Sequence, residues 1–425
     1  MDIRRWLTVG ESRSIAWRAT GVVVSAATGL VALKVFLTEY AQEAPSLIAI
    51  VGWLTFLPLL QLGLGRPIYS VLRRRFVAGE PMVREVQRAV SWFGMLALLA
   101  VLVHGGFGAW IVSRGHSSVG WAAPGVFAAG LAANVTGLFQ RDLAYALSLE
   151  ALYERTELLR RFVVLGSYGA LWAGAPMVGV GAVMLAVGVA TQAETAREVT
   201  AANPVGLGLE DCVLEPIGPD SRRYLLFSLN ELLLYNLPLV VFTLVDAKSE
   251  LLYVGVWTRL FQLIVLPMRM LVDARVNRQT ASWFRGDIAL LRRELAQSLG
   301  MASAAMVAAL MMLGLVAAPL LDWLGLPVLN RDAWLVAGLA MWGVGNVVQH
   351  VYGSFTLSYG AGFSAAVKVS WRAAAAVGVA FLVARSAGLG VGASLTAMGG
   401  AYLFSAFAYR AHVQRLLARH REAAQ

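Results

Sequence analysis

The chain has 425 residues, 58% of them hydrophobic and only 14% charged, with a mean hydropathy of +0.66. Apolar segments of about 20 residues recur from end to end, the length that crosses ~30 Å of hydrocarbon as helix, so a soluble globular protein is excluded. The net charge of +10 comes from 32 Arg and 3 Lys against 25 acids; in a chain of this hydropathy it reads as membrane topology and not as a nucleic-acid surface.

The start, MDIRRWLTVGESRSIAWR, reads as a retained cytoplasmic tail, with no cleavable signal pattern ahead of the first apolar helix. Twelve spanning helices are predicted. The first six are Ala16–Leu37, Ser46–Tyr69, Val90–Val112, Trp121–Ala144, Phe162–Trp172 and Met177–Ala190. The fifth and sixth are short for a span, so their ends are the least defined by hydropathy. A polar connection, Thr191 to Arg223, follows. The last six are Tyr224–Val245, Leu251–Asp273, Ala296–Leu320, Trp334–Tyr352, Ala365–Ala384 and Val391–Tyr409. The basic amphipathic end, RAHVQRLLARHREAAQ, reads as an anchor on anionic membrane lipid.

With the N-terminus placed in the cytoplasm, the predicted cytoplasmic segments carry 26 Lys and Arg and the opposite side carries four, Arg114, Lys248, Arg331 and Arg385. That bias sets the orientation and an even helix count, with both termini cytoplasmic. Five cations remain inside the helices: Lys34, Arg66, Arg259, Arg269 and Arg372. The expected architecture is all-α and membrane-integral. A six-helix bundle spans residues 1–192, a cytoplasmic linker 193–223, and a second six-helix bundle with a basic tail 224–425. Two halves of equal helix number and equal orientation form a parallel repeat about an axis along the membrane normal. A sequence trace supports this. The stretch from Leu57 to Glu80 returns in weaker form 207 residues later, so that Gly79-Glu80 aligns with Gly286-Asp287. Arg66 and Arg269 lie one in each copy.

Three stretches carry a resemblance. The first is Leu60–Gly65, LQLGLG, followed by a basic run and Gly79-Glu80. The second begins the later half, where Asp246, Tyr253, Gly255, Arg259, Leu260 and Gln262 fall in order. The third is the Gly-Asp turn within Trp283–Arg293. Together with the six-plus-six plan, these resemble the Wzx-like polysaccharide flippases of the multidrug/oligosaccharidyl-lipid/polysaccharide (MOP) exporter superfamily. The pattern departs in three places. Gln61 stands where an acid is common, the segment Asp273–Trp283 lacks the proline often found there, and the inner segment Arg141–Arg161 is long and acidic. The resemblance implies flipping of a polyprenyl-diphosphate-linked oligosaccharide from the cytoplasmic to the outer leaflet of the bacterial inner membrane. It also implies alternating access by rocking of the halves, with a proton or sodium gradient as energy source and no resident cofactor. Glycosyltransferases and a polysaccharide polymerase would be its working partners.

A charged diphosphate needs cations between the halves, and arginine's fork suits phosphate oxygens. Intramembrane charges are costly and therefore functional candidates. Arg259 lies ~12 Å below the outer boundary, too deep to reach the surface easily, and leads the substrate-binding candidates, with an internal ion pair holding the seventh and eighth helices as the competing reading. Arg269, Arg372, Lys368, Arg66 and Lys34 complete that set; Lys368 and Arg372, four apart, share a helix face. For Arg66, Arg372 and Lys34, reaching back to an interface is the competing reading. Glu231, deep in the seventh helix, is either the partner of Arg269 or a coupling-ion site. His350 and Asn346, also four apart, are gating candidates, with a plain interhelical hydrogen bond as the alternative for the histidine. No phosphate-binding Gly-rich loop with Lys-Ser/Thr, no His/Cys cluster at metal spacing and no Ser-His-Asp set is recognisable, so no ATPase or hydrolase is expected. A drug/cation antiporter would want an acidic cavity. A lipid II flippase would have fourteen helices, and a membrane polymerase or ligase a large outer loop.

Overall fold

The computed structural model describes residues 9–61, 83–113, 120–201, 286–325, 333–359 and 363–424, with scattered positions in 65–72, 225–229 and 254–283. The described residues are all helix and connecting turn, without a strand. They fall into two compact units, Met1–Leu229 and Asn230–Gln425.

In the first unit, α1 is Val9–Glu39 and α2 is Ala44–Trp53, with Pro45 in the first turn of α2, where its missing N–H is no loss. The predicted second span does not stay α-helical. It tightens to a 3-10 helix over Leu54–Gln61, beginning four residues before Pro58, the carbonyl that Pro58 cannot bond. Then come α3 (Val83–Ser113) and α4 (Ala122–Val135). A 3-10 turn, Thr136–Gln140, leads into the short α5, Arg141–Ala146. The unit closes with α6 (Glu150–Trp172) and α7 (Met177–Ala201). Two expectations need correction here. The fifth helix starts at Glu150 and not near Phe162, and helix continues to Ala201 through the first part of the predicted linker. Hydropathy misses both stretches because they are charged or polar amphipathic helix, buried on one side only.

The core of this unit is an aromatic triangle. Phe36 of α1, Phe127 of α4 and Tyr168 of α6 meet edge to face, with centroids 5.7–6.4 Å apart. Small residues bring α4 close to both neighbours. A Cβ on Gly108 would stand 2.6 Å from Ala128 Cβ, and one on Gly130 would stand 2.4 Å from the Gly181 carbonyl oxygen.

The second unit contains α8 (Ile288–Leu324), α9 (Ala333–Tyr359), α10 (Phe363–Ser386) and α11 (Val391–Ala424). Trp342 anchors α9 to α11. It stacks on Tyr402 at 4.7 Å and donates from Nε1 to the Leu395 carbonyl at 3.2 Å. Arg275 donates to Glu294 at 2.5 Å and to Gln297 Oε1 at 2.6 Å, tying the approach to α8 onto its first turns.

The Gly-Asp pair of the repeat has a conformational explanation. Gly286 has φ +72°, a left-handed turn that closes the preceding helical stretch through Gly286 N–H to the Trp283 carbonyl at 2.9 Å. Asp287 then caps α8, its Oδ1 accepting from Leu290 N–H at 2.8 Å. Asp287→Ala should therefore cost ~1 kcal/mol, and Asp287→Asn much less, read as shifts in thermal midpoint. Equal losses in the two variants would rule out the capping role. Its counterpart Gly79-Glu80 lies outside the described residues.

Seven described helices are long and apolar enough to cross a membrane. Their outward faces are correspondingly apolar: Leu98 and Leu102 on α3, Leu315 on α8 and Phe404 on α11 are each more than 60% exposed.

Candidate functional site

The densest buried polar group among the described residues is in the first unit, where α6 crosses the 3-10 turn. The sequence GluArgThrGluLeuLeuArgArg, residues 154–161, places Glu157 three and four positions before two arginines. Arg160 donates to Glu157 Oε2 from Nη2 at 2.7 Å and from Nε at 3.1 Å, and Arg161 donates to Oε1 at 2.9 Å. Arg160 is only 2% exposed. Its guanidinium rests on the backbone of Gly137, where a Cβ would lie 2.2 Å from Cζ. The Tyr153 ring flanks it at 5.8 Å. Arg161 reaches the other way, to α1, its Nη1 lying 2.7 Å from where a Cβ on Gly21 would sit. Tyr145 of α5 donates to Glu154. One carboxylate thus holds two guanidinium groups that bear on different elements.

An amide column continues from this cluster between α4 and α7. Asn134 donates to the Gly130 and Met184 carbonyls, both at 2.8 Å. Gln192 donates to the Ala133 carbonyl at 2.6 Å and to Thr136 Oγ1 at 3.0 Å, while Gln140 donates to the Gln192 carbonyl at 3.1 Å. Such groups are stabilising when they are hydrogen-bonded and costly when they are not. The arrangement clamps helices. Among the described residues, no three of His, Cys, Asp and Glu converge as a metal ion would require.

The residues singled out from the sequence are distributed as follows. Lys34 is half-buried on α1, with its carbonyl accepting from Thr38 Oγ1 at 3.0 Å. Arg269 is helical and half-buried. Asn346 is fully buried on α9, and His350, one turn on, is half-buried. Lys368 and Arg372 are exposed on α10, opposite the buried stripe of Ser370, Ala373 and Val377. Arg66, Arg259 and Glu231 lie outside the described residues, and so does the Glu231–Arg269 pairing. Two features were missed. One is the Glu157 cluster, which a loop assignment for Arg141–Arg161 hides; its signal was the three- and four-residue spacing of carboxylate and arginines. The other is that Ala333 to Arg421 contains no Asp or Glu but seven Lys and Arg. The structure turns that stretch into α9, α10 and α11, with α11 packed against both others. This three-helix group is therefore uniformly cationic.

The chain is similar over nearly all of its length to solved membrane transporters. An inward-facing multidrug resistance MATE family transporter of the MOP superfamily matches with a TM-score of 0.71 at 14% identity, over 95% of this chain and 96% of that one. The fold is the MATE fold. A MATE in a bent conformation matches at TM-score 0.69 and 12% identity, over 98% of this chain and 99% of that one. A MOP superfamily transporter from Pyrococcus furiosus, described as having a binding pocket of reverse polarity that suggests a different function, matches at 0.67 and 15% identity, over 96% of this chain and 94% of that one. No protein-family model and no curated protein matches the sequence. MATE-like architecture and apolar helices together make this a multi-pass membrane protein.

Proposed function

We propose that this MATE-fold protein is a secondary transporter of an anionic, lipid-linked saccharide, moved from the cytoplasmic to the outer leaflet of a bacterial inner membrane. The observation that carries this reading is the charge of the second unit, whose last three helices hold cations and no carboxylate from Ala333 to Arg421. A unit rich in cations and poor in carboxylates suits a diphosphate, which two-pronged guanidinium donors bind well. Among the fold relatives, the Pyrococcus furiosus protein described as having a reversed pocket polarity fits the same view. In this reading the two six-helix halves rock to give alternating access. Arg259, Arg269, Arg66 and Lys34 would meet the diphosphate, with Lys368 and Arg372 at the cytoplasmic side. Glu231, His350 and Asn346 would couple the cycle to a proton or sodium gradient. Glycosyltransferases would supply the cargo and a polymerase would consume it.

Arg259→Ala should abolish flipping of a polyprenyl-diphosphate-linked saccharide in proteoliposomes, while Arg259→Lys should retain part of it. Undiminished flipping by the alanine variant removes Arg259 from the substrate path. A second reading, drug/cation antiport, is favoured by the multidrug transporters among the fold relatives. Proton- or sodium-dependent efflux of a cationic dye from the same vesicles, without saccharide flipping, would select it.

A further inference from the structure

The last helix is longer than a membrane requires. α11 has 34 residues, so at ~1.5 Å per residue it extends about 51 Å, and ~20 residues suffice to cross the hydrocarbon core. Counted from Val391, the far edge of that core falls near Arg410. Beyond it the helix does not lie down on the membrane. Tyr402, Ala406, Tyr409, Val413 and Leu417 form one buried stripe that passes the edge without interruption. Gln414 donates to the Tyr352 hydroxyl of α9 at 3.3 Å, fixing the extension to its neighbour. The apolar side of the basic tail is thus covered by protein and not by lipid, which corrects the picture of an amphipathic anchor lying in the membrane surface.

The opposite face is what lipid meets. Phe404 is 77% exposed and Phe407 44% exposed. Continuing along that face, Ala411, Arg415 and Arg419 are all exposed. The stripe that contacts acyl chains therefore turns basic where headgroups begin. Helical side chains tilt toward the N-terminus, which on α11 is toward the membrane. Arg415 does so, its Nε donating back to the Ala411 carbonyl at 3.3 Å. None of α9, α10 and α11 offers it a carboxylate before Glu422.

We infer that Arg415 and Arg419 form a headgroup site for an anionic phospholipid, held in place by the buried stripe behind them. The proposal does not depend on the identity of the cargo. The test uses the full chain in phosphatidylcholine nanodiscs into which phosphatidylglycerol is titrated. Native mass spectrometry reads retained lipid, and thermal unfolding reads the accompanying gain in stability. The wild type should retain phosphatidylglycerol and be stabilised by it. Arg415→Gln with Arg419→Gln should weaken that retention by about fivefold per arginine, the equivalent of ~1 kcal/mol each. Arg415→Lys with Arg419→Lys should keep most of it, since the charge remains. Arg385→Gln, at the far end of α10, should leave it unchanged. The proposal is overturned if the wild type shows no phosphatidylglycerol dependence, or if the double glutamine variant matches the wild type. It is also overturned if soluble glycerol phosphate in detergent reproduces the whole stabilisation, which would make the ligand a free phosphate.

Discussion

Glu157→Gln should destabilise the protein by about 3–5 kcal/mol, the range for removing one partner of a buried ion pair. The size follows from what is left behind. Arg160 is 2% exposed, and both of its hydrogen bonds to a carboxylate go to Glu157. Gly137 brings the turn backbone against its guanidinium, so the side chain has no room to swing toward water. Without the carboxylate an arginine remains charged in a buried place, because its pKa is too high for it to neutralise. Arg160→Ala should cost less, since Glu157 keeps Arg161 at 2.9 Å. Arg161→Ala should cost least, about 0–1 kcal/mol, because that side chain is 26% exposed and its pair is screened. Thermal unfolding of the three variants in one detergent checks the order. Should Arg161→Ala prove as damaging as Glu157→Gln, the cluster is not the clamp described.

Gly181→Leu should be comparably severe. A Cβ at Gly181 would lie 2.7 Å from both the N and the Cα of Phe127, atoms of the α4 backbone that cannot rotate away. Accommodation requires α4 and α7 to separate. That would break the Asn134 bond to the Met184 carbonyl and the Gln192 bond to the Ala133 carbonyl, both of which cross the same contact. The loss should exceed the ~1–3 kcal/mol of ordinary overpacking. Gly169 on α6 provides the control. Nothing lies within 4 Å of a Cβ there, so Gly169→Ala should be neutral or stabilising by ~0.5–1 kcal/mol. The readouts are monodisperse yield and thermal midpoint. A wild-type-like Gly181→Leu protein would refute the close approach.

The two predictions show why the sequence reading succeeds for spans and fails for the clamp. Val90–Val112 was legible because apolar composition alone drives a helix across hydrocarbon, and the structure keeps that span inside one helix, Val83–Ser113, whose added residues lie almost all at the N-terminal end. The twelfth predicted helix was legible as far as Tyr409 for the same reason. Its continuation to Ala424 was legible as a basic amphipathic end, but not as one packed on protein, because nothing local tells whether Val413 and Leu417, opposite Arg415 and Arg419, meet lipid or a neighbouring helix. The Gly286-Asp287 pair stood out as a recurring motif, but its meaning as a left-handed turn plus helix cap required the φ angle and the bond to Leu290. Of the candidate cations, Lys368 and Arg372 share an exposed face, as four-residue spacing dictates.

What the sequence by itself determined is the solvent of the protein and the class of its elements. Composition and the recurrence of apolar segments are properties of a chain read locally, and a bilayer selects helices from them because backbone polar groups must be satisfied within the segment. What only the tertiary structure decided is which charges are covered. Glu157 and Arg160 look like loop charges until Gly137 and Tyr153 are laid over them. The arginines of α11 look like an amphipathic anchor until α9 takes the apolar side. Burial depends on neighbours that are distant in sequence, about 20 residues away for Gly137 and Arg160 and about 60 for Tyr352 and Gln414, so no local pattern could reveal it.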